Sequence, residues 1–461
     1  MDGLTTVILA AGAGTRMKSE RAKVAHELSG QPMLSWVIEA ADRAGSGKNI
    51  VVVGHQAEAV RALVPDGTQC VLQERQMGTG HAVKMAANLL GGSTGTILVL
   101  CGDTPLIRGE TLQAAWEEHL RTGNAVTVLT TVPADPAGYG RIVRDAENRV
   151  TGIVEHRDAT PGELEIREIN TGAFLFDAEA LLNALPLLKT GNSQGEYYLT
   201  DTLGIIRNEG GLAGAYVAED EKEMMGVNDR AQLAEADGML QKRIRERHMK
   251  AGVTFRLPET SWIAADVKIG ADTVILPGTL LEKGTVIGSG CVIGPNSRII
   301  SSILAAGVQV ANSVVMESEI GEETMVGPFA YLRPGSRIGR HVKIGDFVEI
   351  KKSVIGDDTK ISHLTYVGDA EVGQRVNLGC GVVVVNYDGR SKHRTVIGDD
   401  AFIGCNANLV SPVEVKEHAY VAAGSTITQE VPAYALGIAR SRQTVLEDWV
   451  KRRGYDKPRG T

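Results

Sequence analysis

The chain has 461 residues, too many for one ordinary domain, and this length points to two or three. It is 43% hydrophobic and 23% charged but only 4% aromatic, with 54 glycines, which suits tight coils better than a core built on large rings. A formal net charge of -8 argues against a general nucleic-acid binder, yet leaves room for phosphates held by a few local Lys and Arg beside backbone amides. Cys70, Cys101, Cys291, Cys380 and Cys405 are odd in number and form no C-x-x-C pair. A reducing cytoplasm is therefore expected, rather than a disulfide framework or a zinc site. The start, Met1 to Leu9, lacks the basic end and apolar core of a signal peptide, and no apolar stretch reaches membrane-span length, so no membrane partner is expected.

Taken in chain order, Thr6–Ala10, Asn49–Val53, Thr96–Leu100 and Ala125–Val132 read as strands, each entering a Gly-, Asp- or Pro-rich turn. Met33–Ala44, Ala57–Leu63 and Gly80–Leu90 read as helices between them. This alternation predicts an α/β domain with a mainly parallel, Rossmann-like sheet, whose ligands bind beyond the carboxyl ends of the strands. Asp229–Lys250 is rich in helix formers and reads as a connecting helix. The expected division is 1–228 for the first domain, 229–250 for the helical linker and 251–461 for the rest.

From Ile269 an aliphatic residue recurs at every sixth position: Ile269, Ile275, Leu281, Ile287, Ile293, Ile299, then Val308, Val314, Ile320, Val326, Leu332, Ile338, Ile344, Ile350. Shorter runs follow at Ile355, Ile361, Val367 and at Val372, Leu378, Val384, and a last one from Ile397 to Ile427. A period of six fits neither a helix nor an amphipathic strand. It predicts a left-handed parallel β-helix, three short strands to a coil of about eighteen residues, with one aliphatic side chain per strand inside. Such an interior is dry and inert, so chemistry must sit on the outer face, in loops that leave the coil, or between subunits. The period stops near Val431, and the basic end from Lys451 to Thr461 is given no function.

Three places carry polar patterns that packing does not require. Ala11-Gly12-Ala13-Gly14-Thr15-Arg16-Met17 follows the first strand, where two glycines admit a phosphate and Arg16 and Lys23 add positive charge. By itself Gly12-x-Gly14 fits an ordinary strand-to-helix turn equally, and Asp103 at the end of Thr96–Leu100 fits a turn or cap. In the second half, Asn386-Tyr387-Asp388-Gly389-Arg390-Ser391-Lys392-His393-Arg394 replaces hexads. Arg333, Glu349, Lys351, His363, Tyr366 and Asn377 lie off the aliphatic positions and are expected to point outward, supplying cations for a phosphate and a candidate base.

Leu9-Ala10-Ala11-Gly12-x-Gly14-Thr15-Arg16-Met17, with Lys23, resembles the signature of the sugar-phosphate nucleotidyltransferases, except that Ala13 stands where Lys is frequent. The motif lacks the Gly-Lys-Ser/Thr ending of a P-loop. With the hexads, Arg333-Pro334-Gly335, Gly345–Lys352, His363–Ala370, Asn377-Leu378-Gly379 and Asn386–Lys392, the chain from Leu9 to Arg440 resembles the bifunctional N-acetylglucosamine-1-phosphate uridylyltransferase/glucosamine-1-phosphate acetyltransferase family. The resemblance implies that Leu9, Ala10, Gly12, Gly14, Arg16 and Lys23 bind UTP, that Gln73, Gly78 and Thr79 read the uracil, and that Asp103 and Asn228 hold Mg2+. It further implies Gly140, Glu155, Asn170 and Thr200 for the acceptor sugar.

For the coil, the same resemblance makes His363 the general base, with Glu349 orienting its imidazole. Arg333, Lys351, Tyr366 and Lys392 hold the sugar phosphate, and Asn377 and Asn386 the sugar and tetrahedral intermediate. Acetyl-CoA contacts fall at Cys380, Asn386, Tyr387, Cys405, Ala423 and Arg440, largely through backbone. Cys380 and Cys405 depart from the Ala and Ser common there, and direct transfer leaves no task for a nucleophilic cysteine. Small-molecule substrates and a homotrimer follow from the resemblance, beside the absence of nucleic-acid and membrane partners expected from charge and hydropathy. A rival reading keeps one nucleotidyltransferase activity and treats the β-helix as an oligomerisation module.

Overall fold

The computed structural model describes residues 3–92, 94–456 and 458, so Lys457 and 459–461 of the basic tail lie outside the described residues, as do Met1, Asp2 and Ser93. The chain forms two compact units, Met1–Arg243 and Ile244–Thr461, and the division falls within the helix Arg230–Lys250. Among the described residues no helix is long and apolar enough to cross a membrane.

The first unit is built on a sheet apolar on both faces. Its central strand, Leu4–Ala10, runs parallel between Ser46–Val53 and Thr96–Cys101, and Gln69–Leu72 extends the sheet parallel to Ser46–Val53. Alternate side chains enter opposite cores: Ile8, Leu98 and Leu100 on one face, Val7, Ile97 and Val99 on the other. Helices cover both faces, which is why these strands carry continuous apolar runs. Ile169–Asp177 departs from the predicted pattern by running antiparallel to Thr96–Cys101, to Val126–Thr131 and, at Ile169, to Arg141–Arg144; Ala213–Val217 then closes that edge in parallel with Val126–Thr131. From the central strand the chain moves outward through Ser46–Val53 and Gln69–Leu72, then returns on the opposite side at Thr96–Cys101. That reversal opens a crevice beyond the carboxyl ends of Leu4–Ala10 and Thr96–Cys101.

One buried group ties the stability of this unit to pH. His119, in the helix Gly109–Thr122, is buried with Nδ1 2.9 Å from Thr127 Oγ1, and burial lowers its pKa to about 4. The unfolded imidazole titrates near 6.5. Between those values the unfolded chain binds a proton that the folded chain refuses, so stability falls as pH drops through the window, by up to about 1.4 kcal/mol per pH unit. Thermal melts should show His119→Gln losing less stability than the parent between neutral pH and pH about 5; parallel losses would clear His119 of the effect.

The second unit is three parallel sheets whose strands alternate along the chain, the first strand of each coil always returning to the same sheet. Val274 lies beside Val292 and Ile275 beside Ile293, one coil apart. Ile275, Ile293, Val310, Val326, Ile344, Ile361, Leu378, Ile403 and Val421 stack in one sheet, all buried. Stacking therefore supplies both the core and the backbone pairing. The second hexad run is corrected by the structure. Val314 is only half-buried, and Val315 points inward between Val310 and Ile320. Corners at Asn312 and Glu317, both with positive φ, close in one residue fewer than a hexad, so the inward position moves by one. The predicted excursion is clear: Asn377 pairs with Phe402, an offset of 25 (402 − 377), where Lys360 and Asn377 are offset by 17 (377 − 360).

Candidate active sites

In the first unit the crevice holds a pocket of about 270 Å³ lined by Leu9, Ala10, Gly12, Lys23, Gln73, Gly78, Thr79 and Asp103, all expected from sequence, and also by Gln76, Cys101 and Glu196. The loop after the central strand is shaped by its glycines in two different ways. Gly14 has φ of 61°, and a Cβ there would lie 2.5 Å from Lys23 Cβ, so the fold itself demands glycine. At Gly12 an added Cβ meets nothing within 4 Å. The chain does not need that glycine for packing, and its bare backbone faces open space that a ligand could approach.

Lys23 is the hub of the charged end of this pocket. Its ammonium donates to Asp103 Oδ2 in a short contact and to Asn228 Oδ1 at 2.7 Å, while Arg16 Nη2 donates to the same Asn228 oxygen at 2.8 Å. Asn228 is fixed in turn by its own N–H, which donates to Gln232 Oε1 at 2.8 Å. Asp103 and Asn228, 125 residues apart (228 − 103), thus present two hard oxygens to one positive charge. That pair of oxygen donors is of the kind that would hold a magnesium ion. Among the described residues no cluster of three or more His, Cys, Asp or Glu forms a fuller cage.

The segment expected to read a base is anchored by amides. Gln73 is buried, its Nε2 3.2 Å from Gly78 O and 3.0 Å from His81 Nδ1, and Gln76 Nε2 donates to Ala11 O at 3.0 Å. Leu199 N–H donates to Thr79 Oγ1 at 3.1 Å and Gly80 N–H to Tyr197 O at 2.8 Å, so the segment from Asn192 to Thr200 packs on this edge.

The expected sugar residues also assemble. Asn170 N–H donates to Gly140 O at 2.9 Å, Thr200 Oγ1 donates to Glu155 Oε1 at 3.3 Å, and a Cβ on Gly140 would lie 3.4 Å from Glu155 Oε2. Burial raises Glu155, with Asp158 and Asp201 adding to the rise and Thr200 opposing it. One electrostatic influence and one contact tie this group to the charged end. Tyr139 is raised by burial and by the Asp103 carboxylate, and Cys101 Sγ lies 3.7 Å from Gly172 O. Burial, helped by Asp103, pushes the Cys101 thiol up to about 12, so it remains an inert lining group.

On the coil, His363 is exposed, and its Nδ1 meets Asp346 Oδ1 in a short contact between register-matched strands. That hydrogen bond holds Asp346 below the usual carboxylate range. Glu349, expected as the orienting acid, instead pairs with Arg333 at 2.8 Å. The correction follows from the coil: Asp346 is one turn below His363, whereas Glu349 is one turn below Tyr366 on the next sheet.

The expected phosphate group gathers on that next sheet. Lys351, Tyr366 and Arg333 lie on strands or strand ends of neighbouring coils, and Lys351 Nζ is 3.4 Å from Asp369 Oδ2. Asp369 also accepts from Asn386 Nδ2 at 2.5 Å, and that same nitrogen is 3.4 Å from Tyr366 Oη. Lys351 is buried rather than outward as expected, and Asn386 of the excursion is buried with it, their polar ends covered by this network. Lys351 beside Lys392 holds the latter below the usual ammonium range. Two adjacent ammonium groups served by one carboxylate, Asp369, make a strong site for a phosphate dianion.

The excursion that carries Lys392 is braced from within. Asp388 accepts from Arg390 N, Ser391 N and His393 Nε2, each at 2.7 Å, which holds its carboxyl far below the ordinary range. His363 ends a strand of one sheet and Tyr366 opens a strand of the next, so the candidate base and the phosphate group flank a single corner. Gly381 N–H donates to His363 O, Asn406 N–H to Cys380 O and Gly424 N–H to Cys405 O. His363, Cys380, Cys405 and Ala423 therefore stack along one edge of the prism, with Asn377 half-buried on the adjoining sheet. Tyr387 and Arg440 are exposed. Gln76, Glu196, Tyr139, Asp346 and Asp369 fall within the segments that carry the resemblance but were given no role from sequence. The last two could be found by stepping back one coil from His363 and forward one coil from Lys351.

Comparison with known proteins agrees with this division. Residues 6–160 match the MobA-like NTP transferase domain, and residues 266–301, 317–352 and 394–429 match the bacterial transferase hexapeptide (six repeats), the repeat of left-handed parallel β-helices. The bifunctional protein GlmU of Acetivibrio thermocellus is 56% identical over 454 residues, covering 98% of each chain. GlmU of Alkaliphilus metalliredigens is 51% identical over 98% of this chain and 99% of its own, and that of Shouchella clausii 50% identical over 98% and 100%. With half or more of its residues identical across nearly the full length, this chain belongs to the GlmU family of bifunctional proteins.

Proposed function

We propose that the chain carries two transferases acting in sequence on one sugar phosphate. The β-helix moves an acetyl group from acetyl-CoA to the amine of glucosamine 1-phosphate, and the first unit then joins the product to UMP from UTP, releasing pyrophosphate. The observation that supports this reading is that each unit gathers its own cations beside its own polar or titratable groups. Lys23 and Arg16 stand with Asp103, and Lys351 and Lys392 stand near the His363–Asp346 pair. A non-catalytic coil has no use for the second of these.

In the acetyl transfer, the amine attacks the thioester carbonyl while His363 takes the amine proton, and CoA leaves as the thiol. Asp346 holds the ring for that step. Arg333, Lys351, Tyr366 and Lys392 fix the phosphate, while Asn377 and Asn386 face the sugar. The edge Cys380–Cys405–Ala423, with Tyr387 and Arg440, receives acetyl-CoA.

In the uridylyl transfer, a phosphate oxygen of N-acetylglucosamine 1-phosphate attacks the α-phosphorus in line, a step that needs positioning and charge balance rather than a protein nucleophile. Arg16 and Lys23 neutralise the leaving pyrophosphate, Gln73, Gly78 and Thr79 read the base, and Gly140, Glu155, Asn170 and Thr200 hold the acceptor sugar. Asp103 and Asn228 would hold Mg2+, which supplies positive charge to the phosphate chain when bound.

Phe329, Phe347 and Leu364 stack on one edge at 57%, 58% and 57% exposure, with the two rings 5.5 Å apart. An exposed apolar ladder next to His363 supports a homotrimer with the acetyl site between copies. The substrates and the five free thiols support a cytoplasmic setting.

The test supplies glucosamine 1-phosphate, acetyl-CoA, UTP and Mg2+ and omits each in turn, following products by mass. Omitting UTP should leave N-acetylglucosamine 1-phosphate accumulating, and omitting acetyl-CoA should stop both products. Nucleotide-sugar formation from supplied N-acetylglucosamine 1-phosphate with no acetylation under any condition would return the coil to a structural role.

A further inference from the structure

We infer that Cys380 and Cys405 form a paired-thiol modification site that exchanges with low-molecular-weight disulfides and closes into a reversible disulfide across two coils. The register Asn377–Phe402 and Leu378–Ile403 continues into these residues, so the cysteines occupy matching positions on adjacent turns. The backbone is pinned on both sides of the pair. Gly379 N–H donates to Ile403 O at 2.8 Å, and Asn406 N–H donates to Cys380 O at 2.8 Å. Neighbouring strands lie about 4.8 Å apart, and a disulfide spans Cα separations of about 4.4–6.8 Å. The strand spacing therefore places the two Cα atoms within the range that a disulfide spans, and rotation of the side chains about the corner brings the two sulfurs together.

Access and order of reaction follow from exposure. Cys405 is exposed and Cys380 half-buried, whereas Cys291 is buried and Cys101 is held as a neutral thiol. The Cys405 thiolate attacks the small disulfide, forming a mixed disulfide and releasing one small thiol. Cys380, as thiolate, then attacks Cys405 Sγ, forming the protein disulfide and releasing the second small thiol. Two protein thiols are oxidised, one small disulfide is reduced to two thiols, and the two protein protons pass to the departing thiolates.

The consequence comes from what the bridge encloses. The segment between the cysteines contains the whole excursion from Asn386 to Arg394, including Asn386 and Lys392, and the bridge lies directly above His363 on the same edge. Resting on the reading that this edge receives acetyl-CoA, closure blocks acetyl transfer while uridylyl transfer on the other unit continues.

The full chain is treated with oxidised glutathione, digested without reductant and examined by mass spectrometry, and both activities are measured before and after dithiothreitol. The expected result is a linked peptide pair joining Cys380 and Cys405, two hydrogens lighter than the reduced pair. With it should come loss of most acetyl transfer, unchanged uridylyl transfer, and recovery with dithiothreitol. Cys380→Ala and Cys405→Ser, each compared with its own reduced form, should lose the linked peptide and the dithiothreitol-reversible component. Glutathione mixed disulfide at Cys405 with no linked peptide overturns the site. A linked peptide with undiminished acetyl transfer keeps the paired-thiol site and overturns the placing of acetyl-CoA on this edge.

Discussion

His363→Ala is expected to lower CoA release from acetyl-CoA and glucosamine 1-phosphate by about 10²–10⁴-fold, the range for removing a positioned general base, while pyrophosphate release from UTP and N-acetylglucosamine 1-phosphate stays within experimental error of the parent. The side chain is exposed and its strand is held by backbone bonds that alanine keeps, so unfolding does not explain such a loss. Two neighbours separate chemistry from binding. Asp346→Asn preserves shape and removes the charge that holds the ring, so kcat should fall by about tenfold with little change in KM for the sugar phosphate. Glu349→Gln frees Arg333 from its 2.8 Å partner and should act mainly on that KM. If Glu349→Gln lowered kcat and Asp346→Asn left it alone, the orienting acid assigned from the coil would be wrong. If both activities of His363→Ala fell together, the two-site reading would go with them.

The contrast between Asp346 and Glu349 shows where the sequence stopped being legible. The hexads announced the coil because one buried aliphatic residue per strand leaves a linear mark on the chain. The neighbours of a coil residue, however, sit one full turn away, and the turn varies in length. Corners at Asn312 and Glu317 shorten it, and the excursion between Asn377 and Phe402 lengthens it. Counting from His363 to its partner therefore requires knowing every corner between them. Asp369 was missed for the same reason, since its tie to Lys351 and Asn386 is made across coils.

The first unit was legible in another way. Its strands read as apolar runs ending in polar turns, and the pocket residues from Leu9 to Asp103 came from motifs that remain contiguous in the chain. The antiparallel run of Ile169–Asp177 left no such mark, because strand direction depends on where the connection crosses rather than on the residues in the strand.

Asp103→Asn is the second large effect, expected to reduce uridylyl transfer by about 10²–10³-fold, comparable to removing a key electrostatic group from a transition-state site, with acetyl transfer unchanged. The substitution keeps the side chain's size, and the neighbouring turn is held by Val227 N–H donating to the Asp103 backbone carbonyl at 2.8 Å, a bond asparagine also makes. What is lost is charge. Asp103 now balances the Lys23 ammonium, and with UTP bound it would balance Mg2+ against the triphosphate. An uncharged amide also weakens the grip on a divalent ion, so the variant should need more Mg2+ to reach half of its own maximal rate. Asn228→Ala should raise that requirement as well and also release Arg16 and Lys23 from their shared acceptor. A Mg2+ titration separates the possibilities: a lower plateau at an unchanged half-saturating concentration would leave Asp103 as a partner of Lys23 only. Undiminished pyrophosphate release would remove Asp103 from the site altogether.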